Sequence, residues 1–212
     1  MADESIDASK STVAPVSRRT FIKGVIAAGA SVSAASYLFR NPEGVFTQGT
    51  LPGAVERLIT LNVNGRLRHL DVTKQETLAM TLRNKLGLTG TKVGCGRAEC
   101  GSCTVLIDDI PHYACSVLTH TVRGRAITTI EGLARADGSL HPVQQAVVDE
   151  AGFQCGFCTP GFIMAAVGFL KFNPNPSRDE LVHGVSGNLC RCQDYDKIVT
   201  ALMRGAEYSR RT

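Results

Sequence analysis

The sequence predicts an α+β chain in two folded units: a small strand-and-helix domain over 57–132, then an all-α helical bundle over 133–212. Three observations carry this. Leu58-Ile59-Thr60-Leu61-Asn62-Val63 is a β-branched run closed by Asn64-Gly65, the dipeptide of a type I′ hairpin, with 67–72 returning as the partner strand. From Val143 onward apolar residues recur at helical spacing, punctuated by Pro160, Asn173-Pro174-Asn175-Pro176 and Ser177. All eight cysteines fall in these two regions, four in each.

In the first unit Leu78, Met80, Leu82 and Leu86 mark a helix over 77–86, stopped at Gly87. Residues 104–107 and 112–114 read as strands joined at Asp108-Asp109, and 127–130 adds a last strand. In the second unit a helix starts near His141-Pro142 with Val143, Val147 and Val148 on one face. An apolar helix covers 162–172, and Ser177 with Glu180 forms a capping box for the next one. The final helix starts near Tyr195 with Ile198, Val199 and Leu202 inward.

The 212 residues suffice for one or two ordinary domains, and with no Trp and 6% aromatics any core is aliphatic. Domains this small bury little surface and often need a staple. Disulfides are a poor one here: a Cys190–Cys192 bridge would close a very small, strained ring. Metal ligation suits the spacing better. Cys95, Cys100 and Cys103 form C-x4-C-x2-C, with Cys115 beyond eleven intervening residues, the plant-type ferredoxin arrangement. A loop that wraps three thiolates round a cluster aims its backbone amides inward, and Gly94, Gly96 and Gly101 permit the backbone angles and close approach. Cys155 and Cys158 form a second grip, C-x2-C around a turn at Gly156, which needs two more ligands; Cys190 and Cys192 supply them. Both of these pairs precede helices, whose N-terminal amides favour an anionic centre. Zinc is the plainer alternative, but zinc does not usually need a Gly-rich wrap.

The formal charge of +4 makes no case for nucleic acid, and no basic stripe is interleaved with aromatics. An oxidised two-iron, two-sulfide centre on four thiolates carries about −2, so two such centres cancel that excess. The histidines His69, His112, His120, His141 and His183 are scattered and read as structural or surface residues. Asp108-Asp109 reads as a solvated turn rather than an acid/base pair.

Upstream, Ser17-Arg18-Arg19-Thr20-Phe21-Ile22-Lys23 precedes sixteen Gly/Ala/Ser-rich, mildly apolar residues, Gly24 to Phe39. Residues 1–40 read as an export signal of the twin-arginine type, with a periplasmic destination. The run is too short and too weakly apolar for a stable membrane span. Its plainer alternative is a tail. Residues 41–56 read as a linker.

The motifs together identify a family. C-x4-C-x2-C…C, then Gln-Cys-Gly-Phe-Cys-Thr-Pro-Gly, then Asn-Leu-Cys-Arg-Cys resembles the small iron–sulfur subunit of the molybdenum hydroxylases, the xanthine dehydrogenase and aldehyde oxidoreductase family, over Leu58 to Met203. The resemblance implies a β-grasp, plant-type ferredoxin-like domain followed by a four-helix bundle, each with one [2Fe–2S] cluster. Cys155, Cys158, Cys190 and Cys192 would hold the cluster nearer the molybdopterin, which a large partner subunit carries; Cys95, Cys100, Cys103 and Cys115 would hold the outer one. Gln154 matches a glutamine that hydrogen-bonds the pterin, and Cys192 matches the ligand whose sulfur accepts a bond from the pterin amino group. Ala98 stands where many relatives have Gly. The resemblance further implies C–H hydroxylation at the partner's molybdenum with water as oxygen source, and electrons leaving through both clusters. This chain would then do no bond chemistry itself. A flavin subunit or a cytochrome would accept the electrons. Exported location favours an aldehyde as substrate, with N-heterocycles or other aromatics next. The competing reading is a free-standing ferredoxin-like carrier, which would need neither the second cage nor Gln154.

Overall fold

The hairpin forms where Asn64 and Gly65 both take left-handed angles (φ 53° and 73°), the twist a two-residue turn needs to match two paired strands. The computed structural model describes residues 17–23 and 57–211. The proposed leader before Ser17 and beyond Lys23, the linker, and the last residue lie outside the described residues. Residues 18–23 are helical, with the Ser17 hydroxyl accepting from the Thr20 amide (3.2 Å) and Arg18 and Arg19 exposed. Among the described residues no helix is long and apolar enough to cross a membrane.

In the first unit, β1 (Leu58–Val63) and β2 (Arg66–Asp71) are the hairpin, and β3 (Thr104–Ile107), β4 (Ile110–Tyr113) and β5 (Ala126–Thr128) complete a five-stranded sheet in the order β2-β1-β5-β3-β4. All neighbours pair antiparallel except β1 and β5, which run parallel. Strict alternation buries Ile59, Leu61 and Val63 from β1.

Several boundaries differ from the sequence reading, each for a local reason. The return strand starts one residue earlier than read, at Arg66, because the two-residue turn at Asn64-Gly65 pairs Arg66 directly with Val63. β4 begins at Ile110, not 112, because Asp108 and Asp109 are both left-handed (φ 49° and 70°) and make a tight two-residue hairpin turn. The last strand ends at Thr128 and is followed by a short 3-10 turn, Ile130–Gly132. The helix expected over 77–86 is one α-turn, α1 (Leu78–Met80), widening into a π-turn, Thr81–Lys85, with Leu86 N bonded to Thr81 O.

That π-turn lies over a buried polar knot. Glu76 accepts from Thr81 Oγ1 (2.7 Å), Lys85 Nζ (2.7 Å) and the Thr73 amide (3.2 Å). Burial alone would raise its pKa, but the bonds from Lys85, Thr81 and Thr73 outweigh burial and hold it below the usual carboxylate range. A depressed carboxylate stabilises the fold above its unfolded pKa, and that contribution is lost as pH falls through the folded value. Glu76→Gln is therefore expected to cost about 1–3 kcal/mol at neutral pH. Denaturant unfolding should show the gap to the parent shrinking as the pH falls through the carboxylate range. A gap independent of pH would refute the account.

The second unit contributes α2 (Pro142–Asp149), α3 (Thr159–Phe172), α4 (Arg178–Gly184) and α5 (Tyr195–Arg211). His141 caps α2, its Nδ1 accepting from Val143 N (3.2 Å), and Ser177 with Glu180 caps α4 as the sequence indicated. Helix α3 starts three residues earlier than read: Pro160 sits in its first turn, where a missing N–H costs nothing. Val143 is buried as expected, but Val148 is 63% exposed; 143 and 147 define the inward face, and 148 falls outside it. Ile198, Val199 and Leu202 point inward.

Strand β3 joins the halves. Val105 and Ile107 belong to the core of the sheet domain, whereas Leu106 belongs to the core of the helices, with Phe162, Met164 and Leu202. Every residue of β3 is buried, because α3 covers the face of the sheet that would otherwise meet water.

Candidate metal centres

The first nest is a loop whose backbone alternates handedness: Gly96, Ala98 and Gly101 are left-handed (φ 68°, 61° and 67°). Successive amides therefore turn to one side, the geometry that holds anions. Arg97 N and Glu99 N donate to Cys95 Sγ (3.5 and 3.4 Å), and Ala98 N donates to Cys115 Sγ (3.3 Å). Ala98 thus does what a glycine would there, tolerating the strained angle and aiming its amide at a ligand. The Arg97 and Glu99 amides pull the Cys95 thiol down to about 6, toward the thiolate a metal needs. Cys103, at the buried wall of the nest, is pushed up to about 12 by its burial. Cys100 Sγ donates to Ser102 Oγ (3.6 Å), and the thiols neighbour one another in pairs, Cys95 with Cys100 and Cys103 with Cys115. Gly94 matters for its missing side chain: a Cβ there would stand 3.1 Å from Cys100 Sγ.

The second nest draws its thiols from two helix entrances. Gly156 (φ 77°) turns the chain between Cys155 and Cys158, and Cys158 is the residue from which α3 departs. Cys190 and Cys192 lie on the approach to α5, and the Tyr195 hydroxyl accepts from the Cys190 amide (2.9 Å). Cys158 neighbours Cys190, and Cys192 neighbours Cys155. The Phe157 amide, with the Cys192 thiol, draws the exposed Cys155 thiol below its ordinary value, while burial pushes Cys158 up to about 12. A cavity of about 560 Å³ opens here, walled by Cys155, Cys158, Cys190 and Arg191, and on the far side by Cys100 and Gly94.

All eight cysteines are free thiols. Among the described residues no three His, Cys, Asp or Glu side chains converge tightly enough for a single metal ion. Paired thiols on each loop system, amides aimed at their sulfurs, and a cavity on the second group suit multi-iron clusters, which are wider than one ion, in both places.

The eight cysteines named from the sequence lie in two regions, Cys95, Cys100, Cys103 and Cys115 around the first loop and Cys155, Cys158, Cys190 and Cys192 at the entrances of α3 and α5. Gln154 is exposed beside Cys155, its Nε2 donating to Asp194 Oδ2 (3.1 Å). Asp108 and Asp109 stay apart from both nests, paired with Arg125 and Lys171. The seam between the nests was not read from the sequence. Leu189 N donates to Cys100 O (2.9 Å), buried Asn188 donates through Nδ2 to Gly101 O (2.9 Å), and Tyr113 OH donates to Gly187 O (2.9 Å). The ligand loops of the two nests are therefore hydrogen-bonded to each other directly. The signal available was Asn188's place two residues before a ligand.

Comparison with known proteins agrees with this geometry. Residues 61–124 match the 2Fe-2S iron–sulfur cluster binding domain, and residues 129–203 match the [2Fe-2S] binding domain. The chain is 44% identical over 155 residues to the nicotine 6-hydroxylase small subunit of Paenarthrobacter nicotinovorans, covering 73% of this chain and 93% of that one. It is 42% identical over 159 residues to the aldehyde oxidoreductase iron–sulfur-binding subunit of Escherichia coli, covering 68% and 69%. Among solved structures, quinoline 2-oxidoreductase from Pseudomonas putida 86 superposes with a TM-score of 0.69 at 42% identity, covering 74% of this chain and 98% of that one. With both cluster domains matched in order and two of these relatives covered to more than nine-tenths of their length, this chain belongs to the small [2Fe–2S] iron–sulfur subunits of the molybdenum hydroxylases.

Proposed function

We propose that this chain conducts electrons from the molybdopterin centre of a large partner subunit, through a cluster on Cys155, Cys158, Cys190 and Cys192, to a cluster on Cys95, Cys100, Cys103 and Cys115. The carrying observation is the seam: a hydrogen bond from Leu189, next to ligand Cys190, to the carbonyl of ligand Cys100 joins the two nests. When bound, each cluster supplies a one-electron carrier. The chain's own residues supply the thiolate ligands, the amide bonds that favour a reduced, more negative centre, and one buried wall in each nest, at Cys103 and at Cys158 with Cys190. The sheet domain is read as a β-grasp and the helices as a four-helix bundle, which the element order and core division support.

Gln154 and Cys192 lie at the outer rim of the second nest, and this rim is the proposed docking face for the pterin. Outward electron flow then leaves through the first nest to a flavin subunit or a cytochrome. The substrate is set by the partner's pocket; relatives carry names of both aldehyde and N-heterocycle enzymes. Aldehydes are the first class to assay and N-heterocycles the second. Exposed Arg18 and Arg19 after the Ser17 cap support export in the folded state, which loads clusters before the thiols meet an oxidising compartment.

The native assembly tests the reading. Isolated from the periplasmic fraction, the chain is expected to carry iron and acid-labile sulfide and to co-purify with a large molybdenum-containing chain. Isolation alone supports a free-standing carrier, and recovery only from the cytoplasm overturns export. In that assembly Gln154→Ala should leave both cluster spectra intact but slow reduction by substrate on the order of tenfold, about one hydrogen bond's worth. An unchanged stopped-flow rate removes Gln154 from the path.

A further inference from the structure

We infer that Asp194 is a positioning residue that fixes which end of the Gln154 amide is offered to the partner-borne pterin; this rests on the role proposed for Gln154 above. Gln154 precedes ligand Cys155 and Asp194 follows ligand Cys192 by two residues, yet their side chains meet, Nε2 to Oδ2, at 3.1 Å. The oxygen and nitrogen of an amide look alike, so its direction follows from the partner's chemistry. An ionised carboxylate has only acceptors, so the amide nitrogen must face Asp194 and Oε1 must face away. Gln154 consequently presents a carbonyl acceptor, with one N–H left over. That suits an N–H group on the ligand, beside a Cys192 sulfur that also accepts.

Asp194 is itself held in place. Gln193 is left-handed (φ 64°), which turns the chain sharply just before it. Its carbonyl accepts from Ile198 N (3.1 Å) as the first bond of α5, and Lys197 Nζ stands 3.9 Å from the same Oδ2. An aspartate just before a helix commonly turns its carboxylate onto the helix's own amides. Here Oδ2 reaches instead across forty positions of chain to Gln154. A non-glycine residue held at a strained angle to deliver that carboxylate is consistent with a positioning task.

The test uses the full holo-complex with four variants: Asp194→Ala, Asp194→Asn, Gln154→Ala and the double Ala variant. Freeing one long side chain to rotate should slow cluster reduction by substrate about two- to tenfold in Asp194→Ala. Asp194→Asn should fall between Asp194→Ala and the parent, because its Oδ1 can accept the same bond while its Nδ2 can equally hold the amide turned the other way. The double variant should be no slower than Gln154→Ala alone, since Asp194 acts through Gln154. Midpoint potentials and paramagnetic line shapes of both clusters, followed by titration, should stay at parental values. A shifted potential in Asp194→Ala, an Asn variant as slow as the Ala variant, or additive losses would overturn the inference in favour of a charge or folding effect. A slow Gln154→Ala beside a normal Asp194→Ala sinks the Asp194 inference alone, whereas a silent Gln154→Ala removes both.

Discussion

Gly161→Val is expected to lower the thermal midpoint by roughly 10 °C and to leave the protein deficient in iron. A Cβ on Gly161 would sit 2.3 Å from the Gly101 carbonyl oxygen, 2.9 Å from Ser102 Cα and 3.1 Å from Asn188 Nδ2. The first two are backbone atoms of the first nest, so no side chain can swing aside. Helix α3 cannot retreat either. Two turns along the same face, a Cβ on Gly168 would stand 2.4 Å from Pro111 and 2.9 Å from Leu106. The helix is therefore pressed onto the sheet domain at two bare points, and a valine must force the halves apart. Overpacking of this kind costs about 1–3 kcal/mol in a yielding core and more against fixed backbone; about 3 kcal/mol corresponds to roughly 10 °C in a chain of this size. The same displacement pulls Gly101 from Asn188, loosening a loop that carries three ligands. Circular dichroism melting and iron analysis of Gly161→Ala and Gly161→Val give the check. A valine variant that melts with the parent and binds full iron would show that the seam is not close-packed.

The features readable from the sequence were those with a local cause. Asn64-Gly65 announces its own turn, Ser177 and Glu180 announce their own cap, and the thiols of each nest fall in short, spaced groups that only ligation explains. What escaped reading depends on residues distant in the chain. Asn188 contacts Gly101 across 87 positions, and Tyr113 reaches Gly187 across 74; neither looks unusual beside its sequence neighbours. Gly161 and Gly168 pass for ordinary small residues in an apolar helix until a second surface is laid on them. Strand β3 was recognised as a strand, but Thr-Val-Leu-Ile does not reveal that its two faces serve different cores, because an unbroken apolar run has no alternation to read. The π-turn at Thr81 escaped for a similar reason. Its hydroxyl partners, Glu76 and Thr119, come from five and 38 positions away. Asp194 followed the same rule, as its chemistry is set by a glutamine on another segment.

Cys103→Ala and Cys158→Ala, made separately, should each halve the iron and acid-labile sulfide and erase one paramagnetic species on full dithionite reduction, not the same one. The two thiols are the most buried of their nests, at 2% and 6% exposure. Neither can be replaced by water without filling an apolar wall with a polar ligand. Losing one of four thiolates removes a covalent tie, which for clusters as for zinc is part of the folding free energy. The amide donors of the other nest are untouched in each case: Arg97, Ala98 and Glu99 serve only the first, Phe157 only the second. Independent loss is therefore the expected result despite the seam. Its consequences for electron flow differ by position. With Cys158 replaced, substrate should no longer reduce the surviving cluster on the timescale of turnover, because the link proposed to receive electrons first is missing. With Cys103 replaced, substrate should still reduce the surviving cluster rapidly, while transfer to the outside acceptor fails. If the Cys103 variant instead blocks the first reduction and the Cys158 variant spares it, the order of the two clusters along the path is the reverse of the one proposed; if either variant retains both signals, that cysteine is not a ligand.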